Sequence, residues 1–178
     1  MTPEECVFNN QGQFKVRYSR RHEIIALAGF VLLCLYVGVS GTGFLLLNLH
    51  GWFLALRPPY GLPGPALFGA IAAMLYVLAG VAAWEVWRVP GAGVRQRHAL
   101  LSWGWLMGLK ALWTPVFFGL HWLLAAAGLG AVVGALALLT AVRFARLNQA
   151  AGGLMIVTAA WTGFELYLTV GFWWLNHG

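Results

Sequence analysis

Five long apolar runs, each about the length of a membrane crossing, constrain this chain more than any other feature. A spanning helix needs about 20 mostly apolar residues. Runs at roughly 24–47, 66–87, 99–118, 122–142 and 152–174 meet that requirement. Only 9% of the 178 residues are charged and 61% are hydrophobic, whereas an ordinary soluble domain carries about 25% charged residues. The acids are Glu4, Glu5, Glu23, Glu85 and Glu165, too few to coat a water-facing surface. The expected fold is an all-α membrane protein, a five-transmembrane-helix bundle over 23–178, preceded by a basic segment over 1–22.

The breaks between the runs carry turn chemistry and charge. "RPPYGLPGP" (Arg57–Pro65) holds four prolines and two glycines, and "RVPGAGVRQRH" (Arg88–His98) combines glycine, proline and basic residues. "RFARLNQAAGG" (Arg143–Gly153) is a short polar turn, and only "GLH" separates the third run from the fourth. Positive residues favour the cytoplasmic side of a membrane. Lys15, Arg17, Arg20, Arg21, Arg88, Arg95, Arg97, Arg143 and Arg146 all fall in breaks on one side, whereas the other side holds Arg57 alone. This asymmetry predicts a multi-pass protein with a cytoplasmic N-terminus and an external C-terminus. The basic N-terminal segment then reads as an orientation signal and membrane-surface anchor.

Several function classes find no support. The net charge of +6 is spread through the breaks rather than gathered into a phosphate-binding face, so nucleic acid is not an expected partner. Cys6 and Cys34 fall on different sides of a membrane boundary, which argues against a disulfide framework. There is no phosphate loop, nucleophile elbow or paired-carboxylate site, and no catalytic residue or metal site is assigned. The histidines (His22, His50, His98, His121 and His177) lie near run ends. His50 and His121 share the outer side, where axial ligation of a metallotetrapyrrole competes with the plainer role of polar anchor.

The tryptophans are informative. Trp52, Trp87, Trp122, Trp173 and Trp174 lie at run ends, where interfacial belts account for them. Trp103, Trp105, Trp113 and Trp161 lie within runs, where an indole N–H needs a partner and the ring is expected to face the bundle or a ligand. Pro115 sits among Trp113, Phe117 and Phe118. A proline removes a backbone donor, which a membrane helix tolerates where neighbours re-satisfy the freed group. A kink beside this aromatic cluster is expected.

The order of these motifs resembles the TspO/translocator protein family, the tryptophan-rich sensory proteins also called peripheral benzodiazepine receptors. "LKALWTPVFFG" (Leu109–Gly119) is similar to the family's third-helix pattern LNxLWSPxFF. "WTGFELYLTVGFWWLN" (Trp161–Asn176) keeps the fifth-helix Trp161, Phe164, Tyr167, Leu168, Trp173, Leu175 and Asn176. In the first loop, "WFLALRPPYGLPG" retains Trp52, Leu56, Pro58 and Pro63, with Arg57 for lysine and Tyr60 for tryptophan. The second helix keeps Phe68, Leu75 and Tyr76, and "GVSGTGF" (Gly38–Phe44) fits the small-residue end of the first. The resemblance covers nearly the whole chain from Ile24 to Asn176.

This resemblance implies a helix-bundle pocket lidded by the first loop, with Trp52, Tyr60, Trp113, Phe117 and Trp161 as walls. It also implies a hydrophobic planar ligand, a tetrapyrrole such as protoporphyrin IX or a haem-like ring, with no cofactor required, and a homodimer surrounded by membrane lipids. Two other classes stand beside the sensor reading. One is a non-catalytic membrane subunit binding pigments, lipids or partner helices. The other is a light-dependent porphyrin-degrading protein using tryptophans as electron donors.

The departures from the family pattern are specific. Leu106 stands for a glutamine, Ala72 for a tryptophan, Lys110 and Thr169 for asparagines, and Glu165 for an alanine. No basic residue follows Tyr167, so the sterol-recognition pattern is missing. An ionisable residue inside a span costs about 2.5–3.5 kcal/mol on insertion scales and normally faces a partner. Lys110 and Glu165 lie at similar depths in runs of the same direction and are expected to pair. Such a pair either fixes helix packing or places Lys110 toward an anionic ligand group such as a propionate, with Glu165 setting its charge. A retinal-type Schiff base at Lys110 is a remote third reading.

Overall fold

A computed structural model describes residues 5–8, 14–17, 19–48 and 51–176. A short hairpin pairs β1 (Glu5–Phe8) with antiparallel β2 (Phe14–Arg17), in the register Glu5 to Arg17 through Phe8 to Phe14. From there on, all regular structure is helical. The elements are α1 (Arg20–Asn48), the single turn α2 (Trp52–Ala55), α3 (Pro65–Trp87), α4 (Gly93–Thr114), α5 (Leu123–Ala145) and α6 (Gln149–Asn176).

Local chemistry sets the helix ends. Pro65 opens α3, where its missing N–H removes no intrahelical bond. After α3, Gly91 and Gly93 take positive φ (71° and 48°), and the Gln96 side-chain amide donates to the carbonyls of Val86 and Val89 at the helix end. Asn148 caps α6 by accepting from the N–H groups of Ala150 and Ala151 at 2.9 and 3.3 Å. Its amide also donates to Glu85 on α3 at 3.0 Å.

Pro115 acts where the sequence places it, and the result is a π-turn over Pro115–Gly119 at the end of α4. The Leu120 N–H bonds the Pro115 carbonyl five residues back at 2.9 Å, the widened pattern seen where a helix ladder is interrupted. The following residue, His121, takes φ +58° and turns the chain into α5.

Among the described residues, four helices are long and apolar enough to cross a membrane: Arg20–Leu47, Pro65–Trp87, Leu123–Ala145 and Gln149–Asn176. These support an integral membrane protein. The expected fifth span, α4, is long enough but less apolar, because it opens on Arg95, Gln96, Arg97 and His98 and carries Lys110 near its other end.

Helix neighbours follow the cycle α1–α3–α6–α5–α4 and back to α1, so the five long helices form a ring. One end of the ring is filled by small and medium side chains: Ala79, Ala82, Ala83, Ala137, Ala141 and Ala151, packed with Leu106, Phe144 and Met155. Small residues let apolar helices approach without a solvent-driven force between them. Gly80 marks one such close crossing, since a Cβ there would lie 2.8 Å from the Val31 Cα on α1. The other end is aromatic, centred on Phe117, Ala126 and Phe172 and covered by Trp52, Phe53 and Leu56. Between the two ends the ring is hollow.

Candidate ligand-binding cavity

The hollow is a cavity of about 300 Å³ lined from every long helix. Gly38 and Gly41 of α1 supply a low wall, and Phe68, Ala72 and Tyr76 of α3 face them at helical spacing. Lys110, Trp113 and Thr114 come from α4, Phe117 and Phe118 from the π-turn, and Gly130 and Val133 from α5. Thr162, Glu165, Thr169 and Phe172 descend one face of α6. Leu62 and Pro63 of the first loop close one end.

The aromatic wall is self-supporting. Trp113 stacks on Phe117 with centroids 5.1 Å apart and an interplanar angle of 23°, while Phe118 meets Phe117 edge-on at 4.7 Å. The Trp113 indole N–H donates to the Ala126 carbonyl at 3.1 Å, tying α4 to α5. The π-turn allows this arrangement, because widening the ladder after Pro115 sets Phe117 and Phe118 at positions a straight helix would not give.

Lys110 and Glu165 meet across the ring. Lys110 Nζ lies 2.8 Å from Glu165 Oε2, joining α4 and α6, which are not neighbours in the ring. The Trp161 indole N–H donates to the other carboxylate oxygen, Oε1, at 2.9 Å, so both oxygens are held. The Tyr76 ring lies 5.7 Å from the ammonium, within cation–π range. The lysine side chain is nine-tenths buried.

The loop after α1 covers the aromatic end. Asn176 of α6 clamps its backbone at Arg57 from both sides: Asn176 Oδ1 accepts from the Arg57 N–H at 2.8 Å, and the Asn176 amide donates to the Arg57 carbonyl at 3.1 Å. The Tyr167 hydroxyl donates to the Tyr60 carbonyl at 3.1 Å.

Of the residues singled out in the sequence, Lys110, Trp113, Phe117 and Glu165 come together on the cavity. Trp161 stands behind Glu165, tilted against the rings of Phe68 and Phe164, and holds the carboxylate rather than lining the space. Trp52 lies under the lid against Phe117 and His121. Tyr60 is 93% exposed, its ring directed away from the cavity, and reaches α6 through its backbone carbonyl alone. His121 packs against Trp52 with ring centroids 4.1 Å apart and is not among the lining residues, while His50 and His177 lie outside the described residues.

The interior tryptophans divide. Trp113 and Trp161 find acceptors as expected, but Trp103 is buried edge-on to Phe30 with no partner for its N–H among the described residues. Trp105 faces outward, 69% exposed, where a ring facing the bundle was expected. Tyr76, Phe68, Phe172 and the α6 threonines were not named as site residues from the sequence. Stepping three or four positions from Glu165 reaches Thr162, Thr169 and Phe172, so their signal was periodicity referred to the one buried acid.

A second hollow of about 400 Å³ is an open groove on the outside of α4 and α5, lined by His98, Leu101, Ser102, Trp105, Leu109, Leu136 and Arg143. It holds no aromatic cluster and no buried charge pair.

The chain matches the family model described as TspO/MBR family over residues 30–175. It is 27% identical over 154 residues to "Protein CrtK" of Rhodobacter capsulatus, covering 85% of this chain and 92% of that one. It is 26% identical over 157 residues both to "Tryptophan-rich protein TspO" of Chlorobaculum tepidum (86% and 98% covered) and to "Translocator protein" of Ovis aries (86% and 92% covered). With the family model spanning most of the chain and these relatives covered almost end to end, this protein belongs to the TspO/MBR family.

Proposed function

We propose that this protein is a five-span membrane receptor or sensor that binds a hydrophobic planar ligand of the tetrapyrrole class in the central cavity. In this reading α4 is the third span, its charged start lying at the cytoplasmic surface and Lys110 satisfied inside the ring. The N-terminus is cytoplasmic and the C-terminus external. The observation that carries the reading is the aromatic cavity lined by Phe68, Trp113, Phe117, Phe118 and Phe172 beneath a clamped loop. Apolar walls with a few convergent polar groups are the usual build of a small-molecule site.

The cavity volume lies at the small end of the range for such sites, about 300–1,000 Å³. A macrocycle therefore enters with the lid loop displaced, and lid docking sets its release rate. The names carried by the relatives, tryptophan-rich protein and translocator protein, are compatible with a ligand-handling role.

The test is a titration of the purified chain in nanodiscs with protoporphyrin IX, following quenching of tryptophan fluorescence. Saturable quenching weakened by Trp113→Phe supports the cavity as the site. Quenching that rises linearly with porphyrin, as partition into lipid would give, refutes it. The same samples followed under illumination reveal any loss of the porphyrin absorbance, which a degrading activity requires.

A homodimer is also proposed. Gly104 and Gly108 lie four apart on the exposed face of α4, with no side chain over either, and such spacing allows close helix approach.

A further inference from the structure

The charges of the cavity point to a narrower ligand class than its shape does. Resting on the tetrapyrrole-type reading above, we infer that the site prefers a neutral conjugated ring carrying carbonyl or ester oxygens over the same ring carrying free carboxylates. Among the lining residues the charged side chains are Lys110 and Glu165, and they neutralise each other at 2.8 Å. The space is thus charge-balanced before any ligand arrives.

A free dicarboxylic porphyrin brings two negative charges. Neither finds an unspent cation in the lining, and moving an unpaired carboxylate out of water into an apolar site is costly. Drawing Lys110 away would leave Glu165 uncompensated in the same space. Arg57 is exposed on the lid, outside the lining.

Hydrogen-bond capacity points the same way. Both oxygens of Glu165 are engaged, by Lys110 and by the Trp161 indole. The Thr42, Thr162 and Thr169 hydroxyls each donate to a carbonyl four residues back on their own helix. An ammonium has three N–H donors, and Glu165 accepts from Lys110 in the one hydrogen bond the lysine makes to a described residue. The Tyr76 hydroxyl makes no hydrogen bond to a described residue. The cavity therefore offers unspent donors, which recognise a carbonyl oxygen without needing a second negative charge.

The experiment compares protoporphyrin IX with its dimethyl ester, two ligands that share one ring and differ in the carboxyl groups alone. Each is titrated into the full chain in zwitterionic nanodiscs, with affinities corrected for partition into empty nanodiscs. The ester is expected to bind about tenfold more tightly or better. Glu165→Gln, which leaves the cavity with one net positive charge, is expected to move the ratio at least about tenfold toward the diacid.

Equal or tighter binding of the diacid by the wild-type chain overturns the inference while leaving the ring-binding reading standing. An ester preference that Glu165→Gln does not move also overturns it, because the cause would not be the charge balance. If neither compound saturates, both readings fall. Should Glu165→Gln fail to fold, the wild-type comparison still decides.

Discussion

Pro59 of the lid packs against Gly171 of α6 so closely that a Cβ on Gly171 would lie 2.6 Å from the Pro59 Cβ. The proline ring is rigid and buried, so it cannot yield by changing rotamer. The lid is thus seated on a glycine notch five residues before the Asn176 clamp.

Gly171→Val should unseat the lid without unfolding the bundle. Overpacking of this kind costs about 1–3 kcal/mol, comparable to what the clamp of two exposed hydrogen bonds at Arg57 contributes. Hydrogen exchange at the Arg57 amide should accelerate by about tenfold or more. Unchanged exchange at Arg57 would show that the notch does not hold the loop. A bound porphyrin, if the proposed function is right, should also dissociate faster.

The Lys110–Glu165 pair should behave as a coupled unit. Removing one partner of a buried pair typically costs about 3–5 kcal/mol, because the other charge is left uncompensated, whereas replacing both is often neutral. Lys110→Met and Glu165→Leu should each lower thermal stability in detergent, and the double substitution should recover most of the loss. Strictly additive losses would contradict the pairing. Because the carboxylate that Lys110→Met leaves behind remains partly open to the cavity, that single substitution should fall toward the smaller end.

At the α1–α3 crossing, Gly80→Ala should destabilise by about 1–3 kcal/mol. The added methyl meets the Val31 Cα at 2.8 Å and the Phe30 carbonyl at 3.0 Å, both backbone atoms that move only if the helices separate. Gly69→Ala on the same helix has no atom within 4 Å of the new Cβ and should be neutral. Thermal melts of the two variants side by side check this, and equal melting temperatures would refute the close approach.

The orientation has a direct readout. Alkaline phosphatase fused after the last residue should be active and green fluorescent protein at the same place dark, since the first matures outside the cytoplasm and the second inside. The reverse pattern would overturn the charge-based topology of nine basic residues against one.

Much of the architecture was readable because a bilayer imposes length and hydropathy rules on each segment separately. The runs beginning near 66 and 122 match α3 and α5 within a few residues at each end. Pro115 announced a break because the loss of its N–H is a local fact. The depth argument that brought Lys110 to Glu165 worked because positions at similar depth in two apolar runs can be compared on one ruler, at 1.5 Å per residue. The roles of Tyr60, Trp105 and Trp161 were not readable in the same way. Each is an aromatic near or within an apolar run, and nothing in a lipid-facing sequence distinguishes the ring that turns inward from the ring that turns out.

By itself, then, the sequence determined the solvent, the long helices, the break at Pro115 and the buried charges. Each of these follows from composition over a window or from one residue's covalent structure. Tertiary structure alone decided that the helices close in the order α1–α3–α6–α5–α4, that Gly171 receives Pro59, and that Trp161 holds a carboxylate from behind. Those outcomes depend on the rotation of each helix about its axis. Apolar surface faces lipid as readily as it faces another helix, so hydropathy cannot set that rotation. Packing between particular side chains sets it.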